Sequence, residues 1–193
     1  KFIYKKYSGD ITNFNKLNLW YKKANPEYFL HFAAKVPVNF VEKNYKLVKK
    51  INLGGTNNLI KIIKKDKKLK WFFFSSTSHV YQKSKNALKE NSNLQPQNKY
   101  AKTKFLAERK LEKLDSNKFC IGRIFSYTST NQSNSFVIPS IFNQIKQKKN
   151  VFYDFNSKRD FVHIDDICSA IYILLKKKSS GIYNIGSGKS VKI

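Results

Sequence analysis

The sequence predicts an α/β fold built on a doubly wound layer of parallel strands. Three short apolar runs, at residues 27–34, 69–75 and 119–125, have the length and continuous hydrophobicity of buried strands. Long segments with helical character separate these runs. Crossovers of that length join strands that run parallel, so the order strand, helix, strand, helix, strand predicts this class.

Two helices are predicted between these strands. Residues 38–64 carry apolar side chains at helical spacing. Gly54 and Gly55 interrupt that pattern, and because glycine is costly inside a helix, the pair indicates close packing against a neighbour. Residues 98–114 form the second predicted helix.

The pattern changes after Phe125, and we place a domain boundary between residues 125 and 126. Residues 126–135 are polar and are predicted to form a loop. Four further elements are predicted after that loop: helices at 136–147 and 165–176, and short strands at 151–153 and 182–185.

The residues at the carboxyl ends of the predicted strands are candidates for a ligand site, because open α/β sheets bind their ligands there. These ends are residues 33–35, 75–78 and 125–127. The middle one, Ser75-Ser76-Thr77-Ser78, is a run of four hydroxyls. The run predicts a binding site, although an ordinary polar loop that caps the next element has the same composition.

Tyr100 and Lys104 are four residues apart in the predicted helix at 98–114, which places both side chains on one helical face. A phenol titrates near ~10, and a fixed ammonium nearby lowers that pKa. The pair therefore predicts a tyrosine that exchanges protons at neutral pH. In a chain this rich in lysine, a solvated lysine beside a packed tyrosine gives the same spacing.

The net charge of +26 raises the question of a nucleic-acid partner. Of the 38 basic residues only Arg109, Arg123 and Arg159 are arginines, and the lysines are scattered over helix faces and loops. Proteins that read guanine and phosphate favour the bidentate guanidinium. The composition therefore argues against a specific nucleic-acid partner.

Composition also predicts a globular chain in a reducing compartment. Hydrophobic residues make up 41% of the chain, enough for a core, but no apolar run approaches the ~20 residues of a membrane span. Cys120 and Cys168 are isolated, without metal-ligand spacing. We expect a cytoplasmic protein with no metal site and no membrane association.

Seven short segments carry a family resemblance through their order along the chain. They are Gly9-Asp10-Ile11, His31-Phe32-Ala33-Ala34, Asn52-Leu53-Gly54-Gly55-Thr56, residues 74–81 (FSSTSHVY), Tyr100-Ala101-Lys102-Thr103-Lys104, residues 158–166 (KRDFVHIDD) and residues 183–188 (YNIGSG). Together they resemble the motifs of the extended short-chain dehydrogenase/reductase family. Within it, they are similar to the NAD(P)-dependent epimerases, dehydratases and reductases of nucleotide sugars.

The resemblance implies a Rossmann-like fold with a partial NAD(P)-binding domain at 1–125 and a partial, smaller substrate-binding region at 126–193. It implies that Thr77, Tyr100 and Lys104 are catalytic. Tyr100 would be the acid/base, with its pKa lowered by Lys104, which would also hold the nicotinamide ribose. Thr77 would hydrogen-bond the reacting sugar oxygen.

The resemblance also implies contacts to the cofactor, NAD or NADP, and to a nucleotide-sugar substrate. The implied cofactor contacts are Asp10, Ile11, Phe32, Ala33, Ala34, Asn52, Ser75, Tyr100, Lys104 and Phe125. The implied substrate contacts are Ser78, Ser126 and Arg159. The guanidinium of Arg159 suits the nucleotide diphosphate. A homodimer is compatible with the resemblance.

The sequence lacks one motif of the whole family and one feature that is usual in its dehydratases, Gln82 replaces the usual Gly after Val80-Tyr81, and Ser126 stands where many members carry a substrate-binding Asn. The loop G-x-x-G-x-x-G, which offers backbone donors to the cofactor pyrophosphate, does not occur, and the chain contains no Met. We therefore expect a fragment that lacks the first strands of the family and is itself inactive. Ser78 and His79 stand where the dehydratases usually carry an acidic pair, which favours an epimerase or a reductase.

Two alternatives to a sugar epimerase or reductase stay open at this point. One is a non-catalytic, nucleotide-binding relative, which the intact set of Thr77, Tyr100 and Lys104 disfavours. The other is a basic nucleic-acid-binding protein, which the shortage of arginine disfavours.

Overall fold

The computed structural model describes residues 3–114, 117–149 and 157–193, and these residues form two sheets. In the first sheet all neighbouring strands are parallel, in the order β1-β2-β3-β6: β1 (Tyr28–His31), β2 (Trp71–Thr77), β3 (Phe119–Ile124) and β6 (Gly181–Ile185). The second, smaller sheet has the order β4-β5-β7: β4 (Ser126–Thr128), β5 (Lys158–His163) and β7 (Ser190–Lys192).

Helices connect the strands of the first sheet and alternate with them along the chain. They are α1 (Phe14–Ala24), α2 (Val38–Lys43), α3 (Tyr45–Lys49), α4 (Gly55–Ile63), α5 (Lys99–Glu112), α6 (Val137–Lys146) and α7 (Ile164–Lys177). A π-helical turn, Lys50–Gly54, joins α3 to α4. Among the described residues, no helix combines the length and the apolar character that crossing a bilayer requires.

The core lies on both faces of β2, which is fully buried over Trp71–Phe74. Because side chains alternate along a strand, Phe72 and Phe74 pack on one face in a cluster with Leu59 and Leu111. Trp71 and Phe73 pack on the other face in a cluster with Ile167. Burial on both faces explains why this run reads as continuously apolar, and it confirms the predicted doubly wound α/β class.

The second half of the chain differs from the sequence prediction. Residues 126–135 were expected to be a loop, but β4 forms there and pairs in parallel with β5. A three-residue strand takes its stability from its partner strand, which is distant in sequence, so local composition could not reveal it. Helix α1, β5 and β7 were not predicted either, and the strand expected at 151–153 lies outside the described residues.

The boundary at 125/126 stays a prediction. The chain beyond it builds the smaller sheet, but it also returns β6 to the first sheet, where Gly181–Ile185 pairs in parallel with β3. The predicted strand at 182–185 is thus confirmed. It is an edge strand of the larger sheet and does not belong to the smaller one.

Gly54 and Gly55 have opposite surroundings, which gives a matched test of the packing of this helical stretch. A Cβ on Gly55 would overlap Cδ1 of Ile11, whereas a Cβ on Gly54 would meet nothing within 4 Å. In the full-length protein, Gly55→Ala is expected to lower the free energy of unfolding by about 1–3 kcal/mol through overpacking. The control, Gly54→Ala, is expected to raise it by up to about 1 kcal/mol, because alanine favours the helix. Urea titration measures both, and equal effects would contradict the assigned packing.

Candidate active site

A cleft of about 630 Å³ opens at the carboxyl ends of β2 and β3. Most of the residues that the sequence assigned to catalysis, cofactor or substrate line it together: Phe32, Ala34, Ser75, Thr77, Ser78, Tyr100, Lys104, Phe125, Ser126 and Arg159. The remaining four, Asp10, Ile11, Ala33 and Asn52, do not line it. The fold therefore gathers residues that span 128 positions of the sequence, from Phe32 to Arg159, around one cleft.

Two residues of the hydroxyl run at the end of β2, Ser76 and Thr77, combine a supporting hydrogen bond with a place in the lining of the cleft. Ser76 is buried and donates a hydrogen bond to Glu108 on α5. Thr77 lines the cleft, and its Oγ1 also accepts a 3.3 Å hydrogen bond from the backbone N–H of His79. Thr77 thereby caps a short 3₁₀ turn, Ser78–Val80. Thr77 therefore has the capping role that such a polar loop can have, and it also lines the cleft.

Helix α5 presents Tyr100 and Lys104 to the cleft from its first two turns. The side chain of Asn98 caps the helix, since its Oδ1 accepts a 2.8 Å hydrogen bond from the backbone N–H of Ala101. This cap fixes where α5 begins, and it therefore sets the position of Tyr100 two residues later. The predicted helix at 98–114 is confirmed.

Lys104 is a buried cation on the floor of the cleft. Its ammonium donates a 2.7 Å hydrogen bond to the carbonyl oxygen of Ser75 and lies 4.7 Å from the ring centre of Phe74. Burial lowers the pKa of Lys104 to about 7, although the carboxylate of Glu108 opposes the shift. A group with this pKa changes its charge near neutral pH.

The pKa of Tyr100 differs from the expectation. Burial raises this pKa above its ordinary value of 10.0, and the neighbouring Tyr127 adds to the increase. The expected lowering by Lys104 is wrong for this structure, because removing the phenolate from water dominates and the Lys104 ammonium is directed at the Ser75 carbonyl. The phenol is therefore protonated at neutral pH.

The lowered pKa of Lys104 predicts a specific dependence of stability on pH. The folded pKa is about 7 and the ordinary value is 10.5, so between these limits the unfolded chain binds more protons. Stability contributed through Lys104 therefore rises as the pH increases from 7 toward 10. The free energy of unfolding of the full-length protein, minus that of Lys104→Met, is expected to increase over this range. A difference that stays flat would show that Lys104 titrates normally in the folded protein.

An ion pair between Glu108 and Arg123 supports the elements around the cleft, and it was not predicted from the sequence. Their side chains are each only 1% exposed, and Nη2 of Arg123 donates to Oε2 of Glu108 at 2.8 Å. Glu108 belongs to α5, and Arg123 to β3. Two signals in the sequence could have found the pair: Glu108 follows Lys104 by four residues, and Arg123 is the one charge inside an apolar strand.

The same guanidinium also holds the segment between β2 and α5. Nη1 of Arg123 donates a 3.0 Å hydrogen bond to the carbonyl oxygen of Glu90, and the guanidinium carbon lies 4.7 Å from the ring centre of Tyr81. With the hydrogen bond from Ser76 to Glu108, this arrangement ties α5 to β2 and β3. It fixes the helix that carries Tyr100 relative to the strand that carries Thr77.

Of the predicted residues outside the cleft, Asn52 has a clear supporting role. Its buried amide accepts from the backbone N–H of Lys35 at 2.8 Å, and it donates to Oγ1 of Thr103 at 3.1 Å. Asn52 thus joins the segment after β1 to α5. Ile11 is buried in the core, whereas Asp10 is exposed and its carboxylate accepts from Thr12. The contacts predicted between these residues and a cofactor stay predictions.

Comparisons with known proteins identify similar chains. A model of the NAD dependent epimerase/dehydratase family matches residues 4–186. UDP-glucose 4-epimerase of Mycoplasma genitalium is 29% identical, over 94% of this chain and 62% of its own length. GDP-6-deoxy-D-mannose reductase of Pseudomonas aeruginosa is 30% identical, over 87% of this chain and 60% of its own length. The chain thus spans about 60% of the length of these relatives.

A solved structure extends the similarity to the fold. UDP-glucuronic acid 4-epimerase from Bacillus cereus, in complex with UDP-glucuronic acid and NAD, matches with a TM-score of 0.86 and 26% identity. The match covers 96% of this chain and 60% of that protein. Similarity over nearly all of this chain places both of its sheets within one known architecture.

Proposed function

Since the chain belongs to the NAD dependent epimerase/dehydratase family, we propose that the full-length protein is an NAD- or NADP-dependent epimerase or reductase of a nucleotide sugar. The observation that carries this proposal is the shared cleft of Thr77, Tyr100 and Lys104, with Arg159 on its lining. The names of the relatives support a nucleotide sugar as substrate, because they specify UDP-glucose, GDP-6-deoxy-D-mannose and UDP-glucuronic acid.

The cleft fits the nicotinamide half of such a cofactor. The ammonium of Lys104 and the hydroxyls of Ser75 and Tyr100 are polar partners for ribose hydroxyls, and Phe32 and Phe125 add apolar surface for a ring. When bound, the cofactor supplies the acceptance and donation of hydride. We assign no pyrophosphate ligand in this chain, because its sequence contains no G-x-x-G-x-x-G loop.

The protein's own groups account for the proton transfer. Thr77 orients the reacting sugar oxygen through its hydroxyl. Because the pKa of Tyr100 is raised, its phenol is protonated and donates a proton to that oxygen when a keto group is reduced. In the opposite direction the phenolate takes the proton from the sugar hydroxyl. The family resemblance assigns to Lys104 the stabilisation of that phenolate, whereas in the structure its ammonium donates to the Ser75 carbonyl.

The residues beside Thr77 favour epimerisation or reduction over dehydration. Ser78 and His79 line the cleft where the dehydratases that the chain resembles carry an acidic pair. Neither side chain supplies a carboxylate. An epimerase returns its cofactor to the starting state, whereas a reductase consumes reduced cofactor, so the stoichiometry of NADH or NADPH separates the two.

Calorimetric titration and product analysis test this proposal on the full-length protein. NADH or NADPH is expected to bind stoichiometrically, and in the presence of NAD or NADP, which accepts the hydride, at least one of UDP-glucose, UDP-glucuronic acid and GDP-6-deoxy-D-mannose is expected to be converted. Binding of cofactor without conversion of any sugar would support the non-catalytic alternative. Absence of binding by either cofactor would overturn the proposal.

A further inference from the structure

His79 is held rigidly in the lining of the cleft. Its backbone N–H donates to Oγ1 of Thr77 at 3.3 Å, and its carbonyl oxygen accepts a 3.0 Å hydrogen bond from the backbone N–H of Gln97. Its imidazole Nδ1 lies 3.2 Å from Nδ2 of Asn98. The backbone and one edge of the ring are therefore both fixed, which leaves Nε2 as the ring nitrogen available to another partner.

The cap of α5 determines which nitrogen of His79 carries the proton. Oδ1 of Asn98 accepts from the backbone N–H of Ala101 at 2.8 Å, a role that only the amide oxygen can fill. Nδ2 of Asn98 must then face the imidazole and donate to Nδ1. Nδ1 is therefore the acceptor, and the neutral ring carries its proton on Nε2.

The surroundings keep this imidazole neutral. Burial lowers the pKa of His79, and the positive charge of Arg159 adds to the decrease. A neutral ring that accepts at Nδ1 is a hydrogen-bond donor at Nε2. It adds a donor to the cleft without placing a second full charge beside Arg159.

We propose that His79 is a substrate-binding residue whose Nε2–H donates a hydrogen bond to a sugar oxygen of the nucleotide-sugar substrate. Thr77, to which His79 is hydrogen-bonded, and Arg159 line the same cleft as His79. This inference rests on the proposed function. It makes His79 a residue that selects among sugars by the positions of their hydroxyl groups.

A second polar group in the same lining agrees with a sugar at this place. Oε1 of Gln132 is buried and has no hydrogen-bond partner within the described ranges, while the amide nitrogen of Gln132 donates to the carbonyl oxygen of Tyr127. Buried acceptors are rarely left unpaired. A sugar hydroxyl would satisfy Oε1, so the cleft offers a donor at His79 and an acceptor at Gln132.

Two substitutions separate a substrate contact from a structural role. In His79→Asn the amide oxygen can still accept from Asn98, but the donor at the Nε2 position is lost. In His79→Gln a donor is retained near that position, but the acceptor for Asn98 is lost. The two variants therefore remove different hydrogen bonds of the same residue.

The full-length wild type is first assayed on UDP-glucose, UDP-glucuronic acid and GDP-6-deoxy-D-mannose, and the best substrate is then used for both variants. His79→Asn is expected to raise KM up to about tenfold, the effect of one lost hydrogen bond, with a smaller change in kcat. His79→Gln is expected to raise KM clearly less. The Kd for NADH or NADPH and the Tm of His79→Asn are expected to stay close to those of the wild type.

The outcomes distinguish this inference from the proposed function. If the wild type converts a sugar but His79→Asn keeps the wild-type KM, only the role of His79 is wrong. If His79→Gln raises KM as much as His79→Asn, or if Tm falls with KM, the residue supports α5 and does not contact substrate. If the wild type binds no cofactor and converts no sugar, both the proposed function and this inference fail.

Discussion

Replacing Tyr100 with Phe in the full-length protein is expected to lower turnover of the nucleotide sugar by about 10²–10⁴, the usual contribution of one acid/base group. The substitution keeps the ring and its packing in the first turn of α5, and it removes only the hydroxyl that exchanges the proton. Affinity for NADH or NADPH is expected to be nearly unchanged. Steady-state kinetics and calorimetric titration measure the two effects separately.

Tyr172→Phe is the matched control for this substitution. Tyr172 lies on α7, is 52% exposed and does not line the cleft, so loss of its hydroxyl is expected to leave turnover within about twofold of the wild type. Unchanged turnover in Tyr100→Phe would remove Tyr100 from the catalytic set. An equal loss in both variants would point to a general effect on folding.

Replacing Glu108 with Gln is expected to lower the free energy of unfolding by about 3–5 kcal/mol. The side chains of Glu108 and Arg123 are each 1% exposed, so the variant leaves a buried guanidinium without its countercharge. The same change removes the anion that ties α5 to β2 and β3. Turnover at temperatures where the variant is folded is therefore also expected to fall. Chemical denaturation and steady-state kinetics measure these losses.

Two controls test whether burial of the ion pair causes the loss of stability in Glu108→Gln. Glu112 pairs with Arg109 on the exposed part of α5, with 31% and 54% of their side-chain surface accessible. Glu112→Gln is therefore expected to cost less than about 1 kcal/mol. The double variant Glu108→Leu with Arg123→Met removes both buried charges, and it is expected to be more stable than Glu108→Gln alone. A loss below about 1 kcal/mol in Glu108→Gln would mean that water reaches the pair.

The first sheet and the main site residues could be predicted because they follow from local signals. The apolar run at 69–75 predicted β2, and the spacing of Tyr100 and Lys104 predicted that both lie on one face of α5. Because ligands bind at the carboxyl ends of parallel strands, the end of β2 and this face of α5 could be assigned to one site. The family resemblance then assigned roles to Thr77 and Arg159. The cleft confirms that these residues are neighbours.

The features that escaped prediction depend on contacts distant in sequence. Strand β4 exists through its pairing with β5, and the Glu108–Arg123 pair joins residues of a helix and a strand. The raised pKa of Tyr100 reflects burial, which spacing along a helix cannot report. A cytoplasmic location, a homodimer, the lack of a nucleic-acid partner and the boundary at 125/126 stay predictions.

Formation of reduced nicotinamide on the full-length protein tests the central claim most directly. The protein is loaded with NAD or NADP and mixed rapidly with UDP-glucose, UDP-glucuronic acid or GDP-6-deoxy-D-mannose while the absorbance of the nicotinamide is followed. A proton-transfer site at Thr77, Tyr100 and Lys104 predicts that reduced nicotinamide appears with at least one of these sugars and that Tyr100→Phe slows its appearance. Tight binding of the cofactor with no reduced nicotinamide from any of the three sugars would contradict it.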